Sequence, residues 1–367
     1  MITATLDYDT SATDTAAVGD TSPTPTVCPG VTVIVPAFNE AETIADTLRS
    51  LFCQTTPAEE IIVIDDCSTD DTAAVARSFG VKVLRPPHNT GSKAGAQNFA
   101  LAAVRTEYTL ALDADTVVAP DAIERFLEVM KDSRVAAACG FVVPRQVRTV
   151  WERGRYIEYL LAFSFYKPIQ EHYSKPMIAS GCFSIYRTDM LRAHGGWQTR
   201  TMAEDMDLTW TMYHAGEQVR FVPEAVCYPV EPHNYTFMRK QLRRWSHGFM
   251  QNVLLHWRRL VQIGFLRSVI GVALWESTAA SLIYLVVVPL SAIILQNPLI
   301  LLVYVLDAPA LMVPVLTKAA ARREFWRALS SIPAFFFLRV FNCLFVLEAI
   351  WSEMIVRRPL RVYEKGH

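Results

Sequence analysis

The chain has 367 residues, more than one domain usually contains, so we expect two structural parts. Its formal net charge of -1 provides no basic field for phosphate backbones, which excludes nucleic acid as the expected main partner. Hydrophobic residues make up 51% of the sequence and their excess follows Phe265, which predicts a membrane region there. The seven cysteines lack the short paired spacings of zinc sites, so we expect reduced thiols.

Residues 1–30 are rich in Thr and Asp, contain neither Lys nor Arg and show almost no apolar periodicity, which predicts a disordered tail. They lack the basic start and apolar run of a signal peptide. No stretch before Leu266 is long enough to span a bilayer. We therefore expect the part that follows the tail to stay on the cytoplasmic side of a plasma (inner) membrane.

From residue 31 onward, short β-branched runs alternate with stretches of helical spacing. Strands are predicted at residues 31–35, 61–64, 81–84 and 108–112, and helices at residues 41–52, 69–79 and 93–104. This alternation predicts an α/β fold with a mostly parallel sheet flanked by helices. Ligands of such sheets bind beyond the carboxyl ends of the strands, where Pro36, Asp66 and Asp113 would lie.

Two carboxylates, Asp113 and Asp115, follow the last of these strands. They can present oxygen ligands to Mg²⁺ or Mn²⁺, whose other ligands would be diphosphate oxygens and water. Taken alone, such a pair is also typical of a simple turn or cap.

Lys93 lies in a loop of small residues, 89–98, that enters a helix. Helix-start amides and one ammonium group can hold phosphate oxygens, although the glycine and lysine spacing is not that of a Walker motif. A solvated surface lysine is the alternative.

Glu204 and Asp205 open a helix predicted to end near His214. An acid at this place can take the proton from an attacking hydroxyl group, which is general-base catalysis. The alternative is a carboxylate that only complements the helix dipole. Asp207, on the same helix, is expected to be a bystander.

The last third of the chain is expected to meet lipid. Residues 236–261 form a predicted basic, aromatic helix that suits a membrane surface, and apolar stretches follow at 270–295, 299–316 and 332–356. Arg339 and Glu348 in the third stretch are expected to have a helix-packing role, and a polymer or lipid path is the alternative. Basic residues precede and follow this stretch, so under the positive-inside rule it is re-entrant or interfacial, unless the rule fails here.

Read in order, these motifs resemble glycosyltransferase family 2, whose catalytic domain has the GT-A fold. The resemblance covers about residues 31–260 and rests on VIVPAFNE at 33–40, DDCSTD at 65–70, the Lys93 loop, DAD at 113–115, SGCFSIYR at 180–187, ED at 204–205 and QLRRW at 241–245. The Q-x-x-R-W motif is similar to that of the membrane-bound branch. This branch includes the chitin, hyaluronan, cellulose and poly-N-acetylglucosamine synthases and the ceramide glucosyltransferases.

The resemblance implies roles for the matching residues. The nucleotide sugar would contact Pro36, Ala37, Glu40, Asp66, Lys93, Asp113 and Arg244, with Lys93 and Arg244 at the diphosphate. The metal would be held by Asp115 with Asp113. Asp205 would be the catalytic base, with Glu204 beside it. The acceptor would contact Ser180, Gly181, Gln241 and Trp245, although helix packing at the membrane surface is the alternative for Trp245.

The sequence thus predicts a membrane-bound, metal-dependent, inverting hexosyltransferase that moves a sugar from a nucleotide-diphosphate donor, a UDP-sugar, to a growing polysaccharide. A single transfer to a lipid acceptor is the first alternative, and a catalytically idle sugar-nucleotide or glycan-binding membrane protein is the second. An oligomer or an export partner would complete a secretion channel. The predicted parts are the tail 1–30, a cytoplasmic catalytic domain 31–235, an interfacial region 236–264, two to three spans in 265–356, and a basic tail 357–367.

Overall fold

The computed structural model describes residues 30–306 and 308–361, so most of the predicted N-terminal tail and the end of the basic C-terminal tail lie outside the described residues. The predicted catalytic domain, residues 31–235, is built on one eight-stranded sheet with the order β3-β2-β1-β4-β7-β6-β8-β5. Its strands are β1 Val31–Ala37, β2 Glu60–Asp65, β3 Lys82–Leu84, β4 Tyr108–Leu112, β5 Thr116–Val118, β6 Val135–Val142, β7 Phe183–Arg187 and β8 Gln218–Pro229.

The first half of the sheet is parallel, as the sequence predicts. Strands β3, β2, β1 and β4 run in one direction, and every residue of β4 is buried. The second half is mixed because β7 pairs antiparallel with both β4 and β6, and β5 pairs antiparallel with β8. The parallel half carries the ends of β1, β2 and β4 to one edge, which places Pro36, Asp66 and Asp113 there.

Nine helices of the described residues surround this sheet or extend from it. They are α1 Ile44–Phe52, α2 Thr72–Ser78, α3 Lys93–Leu101, α4 Ala122–Met130, α5 Val150–Leu161, α6 Lys167–His172, α7 Thr188–Ala193, α8 Glu204–His214 and α9 Tyr235–Leu260. Helices α1 and α2 begin about three residues later than predicted, because polar side chains bridge the preceding turns: Asp70 accepts hydrogen bonds from the amides of Ala41 and Thr72 at 3.0 Å each.

Three helices of the described residues are long and apolar enough to cross a membrane: Gly264–Ile294, Pro298–Ala321 and Phe325–Val356. They contain α10 Gly264–Trp275, α11 Val288–Ile294, α12 Ala308–Ala321 and α13 Phe325–Ile350. Arg339 and Glu348 of α13 both contact protein, as expected. Glu348 pairs with Arg243 of α9 at 2.7 Å, and the Arg339 guanidinium lies 4.4 Å from the ring centre of Tyr284.

Helix α5 packs closely against α13. At Gly154 a side chain would meet the carbonyl oxygen of Ala334 at 2.8 Å, so only glycine allows the two helices to approach this far. Close packing of this kind joins the apolar C-terminal helices to the predicted catalytic domain. The six cysteines among the described residues are free thiols.

Candidate active site

The edge formed by the ends of β1, β2 and β4 opens into a cavity of about 1190 Å³. All of the site residues predicted from the sequence line this cavity, although they come from seven separate segments of the chain. They are Pro36, Ala37, Glu40, Asp66, Lys93, Asp113, Asp115, Ser180, Gly181, Glu204, Asp205, Gln241, Arg244 and Trp245.

Asp66 organises the loop that precedes α3. Its carboxylate accepts hydrogen bonds from the Thr90 amide at 2.8 Å and the Thr90 hydroxyl at 2.9 Å, and its carbonyl oxygen accepts one from the Asn89 side chain at 2.7 Å. Ser92 then caps α3 by accepting from the Gly95 amide at 3.1 Å. These bonds hold the loop in place at the mouth of the cavity.

Glu40 is fixed at the same edge, in the segment after β1. Its backbone amide donates to the Thr72 hydroxyl at 2.7 Å, and its carboxylate accepts from the Thr43 hydroxyl at 2.8 Å. The segment after β1 is therefore tied to the start of α2, which gives the pocket a preformed wall.

Lys93, the first residue of α3, reaches across the cavity floor. Its ammonium group forms an ion pair with Asp113 and donates to the carbonyl oxygen of Gly181 at 2.9 Å. Its charge also opposes the rise that desolvation causes in the pKa values of Glu204 and Asp205. One cation thus lies beside both groups of carboxylates.

Asp113 and Asp115 are the two carboxylates of the cavity that could hold a divalent cation. Within the described residues, no group of three or more His, Cys, Asp and Glu side chains is arranged to hold a metal. Two carboxylates facing a roomy cavity nevertheless fit Mg²⁺ or Mn²⁺, because these ions commonly take one or two carboxylates and complete their shell with phosphate oxygens and water. The donor chemistry therefore matches a metal held together with a diphosphate.

Asp205 lies deep in the cavity at the start of α8. Its carboxylate accepts hydrogen bonds from the Gly181 amide at 2.7 Å and the Met206 amide at 2.9 Å. Desolvation raises the pKa of Asp205 above its ordinary value, although Lys93, these amides and Arg244 oppose the shift. The pKa of Glu204 is raised as well, first by desolvation and then by the charge of Asp205.

Gly181 has a structural reason to lack a side chain. A β-carbon there would lie 2.9 Å from the Asp205 carboxylate oxygen. Its predicted contact with the acceptor stays a prediction, but its amide already fixes the position of the Asp205 carboxylate.

Helix α9 brings the Q-x-x-R-W residues to the cavity. Asn234 caps the helix by accepting from the Phe237 amide at 2.9 Å. Arg244 acts electrostatically on both Glu204 and Asp205. The Trp245 ring, 38% exposed, packs on the guanidinium group of Arg155, whose central carbon lies 4.6 Å from the ring centre.

Three residues of the cavity region belong to none of the sequence motifs and were not predicted from the sequence. Arg155 on α5 is fully buried, Glu231 follows β8, and Lys167 on α6 is a buried ammonium group that donates to Ser180 at 2.9 Å. The sequence signal for Arg155 was weak: the spacing of Thr149 and Glu152 is that of a capping box and predicts the start of α5, but it does not show that Arg155 is buried.

Other polar residues of the C-terminal half lie elsewhere. Asp207 is directed away from the cavity and pairs with His256 at 2.6 Å and Arg200 at 2.7 Å, which agrees with its expected bystander role. His247 is buried against Glu353 at 2.6 Å. Both histidines therefore join helices to each other.

The model of glycosyl transferase family 2 matches residues 32–195. The poly-beta-1,6-N-acetyl-D-glucosamine synthase of Staphylococcus epidermidis is 30% identical over 224 residues, which cover 60% of this chain and 54% of the relative. The enzyme of the same name from Staphylococcus aureus (strain COL) is 28% identical over 223 residues, with the same coverage of 60% and 54%. The chain therefore spans about half the length of the curated relatives it matches.

Among solved structures, the mannosyltransferase PcManGT from Pyrobaculum calidifontis, in complex with GDP-Man and Mn²⁺, is similar with a TM-score of 0.59 and 22% identity. The superposition covers 92% of this chain and 91% of that one, so the shared fold extends beyond the sheet. The family match, the sheet and the placement of the motifs agree: residues 32–195 match glycosyl transferase family 2, and the described residues have the GT-A fold.

Proposed function

We propose that this protein is an inverting glycosyltransferase that moves a sugar from a nucleoside-diphosphate donor, a UDP-sugar, to a growing polysaccharide at a membrane. One observation carries the proposal. The desolvated Asp205 carboxylate opens into the same cavity as Asp113 and Asp115, with Lys93 and Arg244 beside it. A module that only binds sugar nucleotides has no use for a base at this place.

The donor would lie along the edge of the sheet. The ordered segments at Glu40 and Asp66 would receive the nucleotide, and Lys93 would face the diphosphate. Asp113 and Asp115 would hold Mg²⁺ or Mn²⁺, which when bound supplies charge neutralisation for a diphosphate leaving group. Arg244 adds a guanidinium group suited to phosphate oxygens.

The reaction we propose is a single displacement. Asp205 takes the proton from the acceptor hydroxyl, the acceptor oxygen bonds to the anomeric carbon, and the bond from that carbon to the phosphate oxygen breaks on the opposite face. The raised pKa of Asp205 suits a base, because proton transfer is most effective when the pKa is close to the working pH. The nucleoside diphosphate leaves toward Lys93 and Arg244.

The polysaccharide acceptor is supported by the relatives, which are named as synthases of a polymer of N-acetylglucosamine. The aromatic face of Trp245 suits the apolar side of a pyranose ring. Ser180 and Gln241 would offer hydrogen bonds to acceptor hydroxyl groups.

A lipid acceptor is the second candidate, and one feature of the cavity favours it. The cavity extends along one face of α10, where Phe265, Val269, Val272 and Ala273 line it. These residues belong to a helix long and apolar enough to cross a membrane, so this arm of the cavity suits a hydrocarbon chain better than a sugar.

Product analysis distinguishes the two candidates. Purified protein in nanodiscs is incubated with Mn²⁺ or Mg²⁺ and a panel of radiolabelled nucleotide sugars, with and without added glycan primers. Labelled chains of many sugars support the polysaccharide synthase, and one labelled sugar on extractable lipid supports the second candidate. Binding of a nucleotide sugar without turnover under every acceptor condition would refute both.

A further inference from the structure

We propose that Arg155 is a positioning residue that holds the acceptor side of the active site in its working geometry. The inference rests on the proposed glycosyl transfer and concerns a residue outside the motifs that carry it. Arg155 is fully buried, so its side chain acts through its neighbours.

The guanidinium group makes a directed contact with each of several neighbours. One terminal nitrogen donates to the Gln241 side-chain oxygen at 2.7 Å, and the other pairs with Glu158 at 2.5 Å. The planar face lies against the ring of Trp245. Arg155 therefore contacts both predicted acceptor residues of α9 at once, which an ammonium group cannot do with the same geometry.

The same side chain reaches the metal-binding edge of the cavity. Its Nε atom lies 3.5 Å from the Glu231 carboxylate, and both of these atoms are buried without a hydrogen-bond partner. Glu231 follows the segment in which the amide of Val230 donates to the carbonyl oxygen of Asp115 at 3.2 Å. Arg155 thus connects the segment beside Asp115 with the helix that carries Trp245.

Helix α5 is held firmly enough to serve as a fixed support. Its start is fixed by the capping box, in which the Thr149 amide donates to Glu152 at 2.8 Å. Its middle is pressed against α13 at Gly154, the residue next to Arg155. A side chain anchored to this helix has little freedom, so it can transmit a defined position to the groups it contacts.

The variants Arg155→Gln and Arg155→Lys test the proposal against Arg153→Gln, which changes an exposed residue of the same helix. With a labelled nucleotide sugar that the wild-type protein turns over, we expect Arg155→Gln to lower kcat/KM for the acceptor roughly 10²-fold, a typical effect of misplacing a reacting group by about 1 Å. The KM for the donor should stay at the wild-type value. Arg155→Lys should recover part of the loss, and Arg153→Gln should match wild type.

A second measurement works without turnover. Hydroxyl-radical labelling followed by mass spectrometry reports the accessibility of Trp245, with Trp326, which is 77% exposed, as an internal reference. Arg155→Gln should increase oxidation of Trp245 several-fold relative to Trp326. Arg153→Gln should leave this ratio unchanged.

Two results would overturn the proposal. The first is that Trp245 in Arg155→Gln is oxidised to the same extent as in the wild-type protein. The second is that Arg155→Gln impairs the kinetic constants for donor and acceptor equally and also lowers the unfolding temperature, which indicates a purely structural role. If the wild-type protein transfers no sugar, the proposed function fails, and the labelling experiment alone decides the role of Arg155.

Discussion

Two aspartates on one helix have different surroundings, which give one of them access to the cavity and the other a structural role. Asp205 and Asp207 are two residues apart on α8. Asp205 faces the cavity with backbone amides as its hydrogen-bond donors, whereas Asp207 is fully buried between His256 and Arg200. Sequence alone gives both the same residue type in the same helical turn. Their partners make Asp205 available to a substrate and Asp207 unavailable.

The pH dependence of activity should report the environment of Asp205. Because desolvation raises its pKa above the ordinary value of 3.8, the protonated form, which cannot accept a proton, persists to higher pH than in a solvated aspartate. We expect kcat/KM to fall as the pH is lowered, with an acidic limb above 3.8 that belongs to Asp205 and Glu204 as a pair. Initial rates measured across pH with saturating metal test this. A limb at the ordinary aspartate value would contradict it.

Lys93 should contribute to donor binding. Replacing it by Gln removes the cation beside the proposed diphosphate position, and a hydrogen bond to a charged group contributes about 1.5 to 3 kcal/mol. We expect the KM for the nucleotide sugar to rise roughly tenfold to a hundredfold, with a smaller effect on the KM for the acceptor. Lys82→Gln is the matched control, because Lys82 pairs with Glu60 at the sheet edge at 2.8 Å. Equal donor KM values in the two variants would count against the assigned role.

At the scale of elements, the contact between α8 and α9 fixes the start of α8, which carries Asp205, against the Q-x-x-R-W helix. Asp207 accepts from His256 of α9 at 2.6 Å, and Asn252 of α9 donates to the carbonyl oxygen of Ala203 just before α8 at 3.0 Å. Gly248 allows this approach, because a β-carbon there would lie 2.7 Å from Ala203. The positions of Asp205 and Arg244 therefore depend on each other.

Asp207→Asn should weaken this contact. The exchange keeps the shape of the side chain but removes the charge that His256 and Arg200 share, so we expect a loss of about 1 to 3 kcal/mol of unfolding free energy. The thermal unfolding temperature in detergent should fall, and donor affinity of the folded protein should persist. An unchanged unfolding temperature would show that the buried pair contributes nothing to the packing of α8 on α9.

The elements that follow a local rule were predictable from the sequence. Strand ends followed by acids, and the small-residue loop before α3, mark the edge of a parallel sheet, and the three apolar stretches are helices in the structure. The antiparallel placement of β7 and the role of Arg155 were not predictable, because both are set by contacts between distant segments. Arg155 and Gln241 are 86 positions apart, and no periodic pattern records such a contact.

At the scale of the whole molecule, the three apolar helices differ in how they meet the catalytic part. The ring of Phe265 stacks on Tyr173 with centres 4.0 Å apart, and Lys318 lies over the ring of Phe141. The start of the first apolar helix and the end of the second therefore both contact the predicted catalytic domain. Helix α13 is held near both ends: Glu324, which precedes it, accepts a hydrogen bond from Tyr156 of α5 at 3.1 Å, and Glu353, which follows it, pairs with His247 of α9.

This arrangement predicts two crossings and a third helix that lies along the catalytic part. The basic residues around 318–327 and Arg357 would then face the same side, in agreement with the positive-inside rule. We expect a C-terminal epitope tag and the catalytic domain to be digested by protease from the same side of sealed membrane vesicles. If the protease digests the catalytic domain but not the tag, the third helix crosses the membrane as well.

The most direct test of the account compares Asp205→Asn with Asp207→Asn and the wild-type protein in the nucleotide-sugar transfer assay. The account predicts that Asp205→Asn loses roughly 10²- to 10⁴-fold in transfer rate, the usual contribution of general-base catalysis, while it keeps donor binding and does not unfold at a lower temperature. Asp207→Asn should retain transfer and lose stability. Transfer at the wild-type rate by Asp205→Asn, with the same product, would contradict the central claim that this carboxylate activates the acceptor.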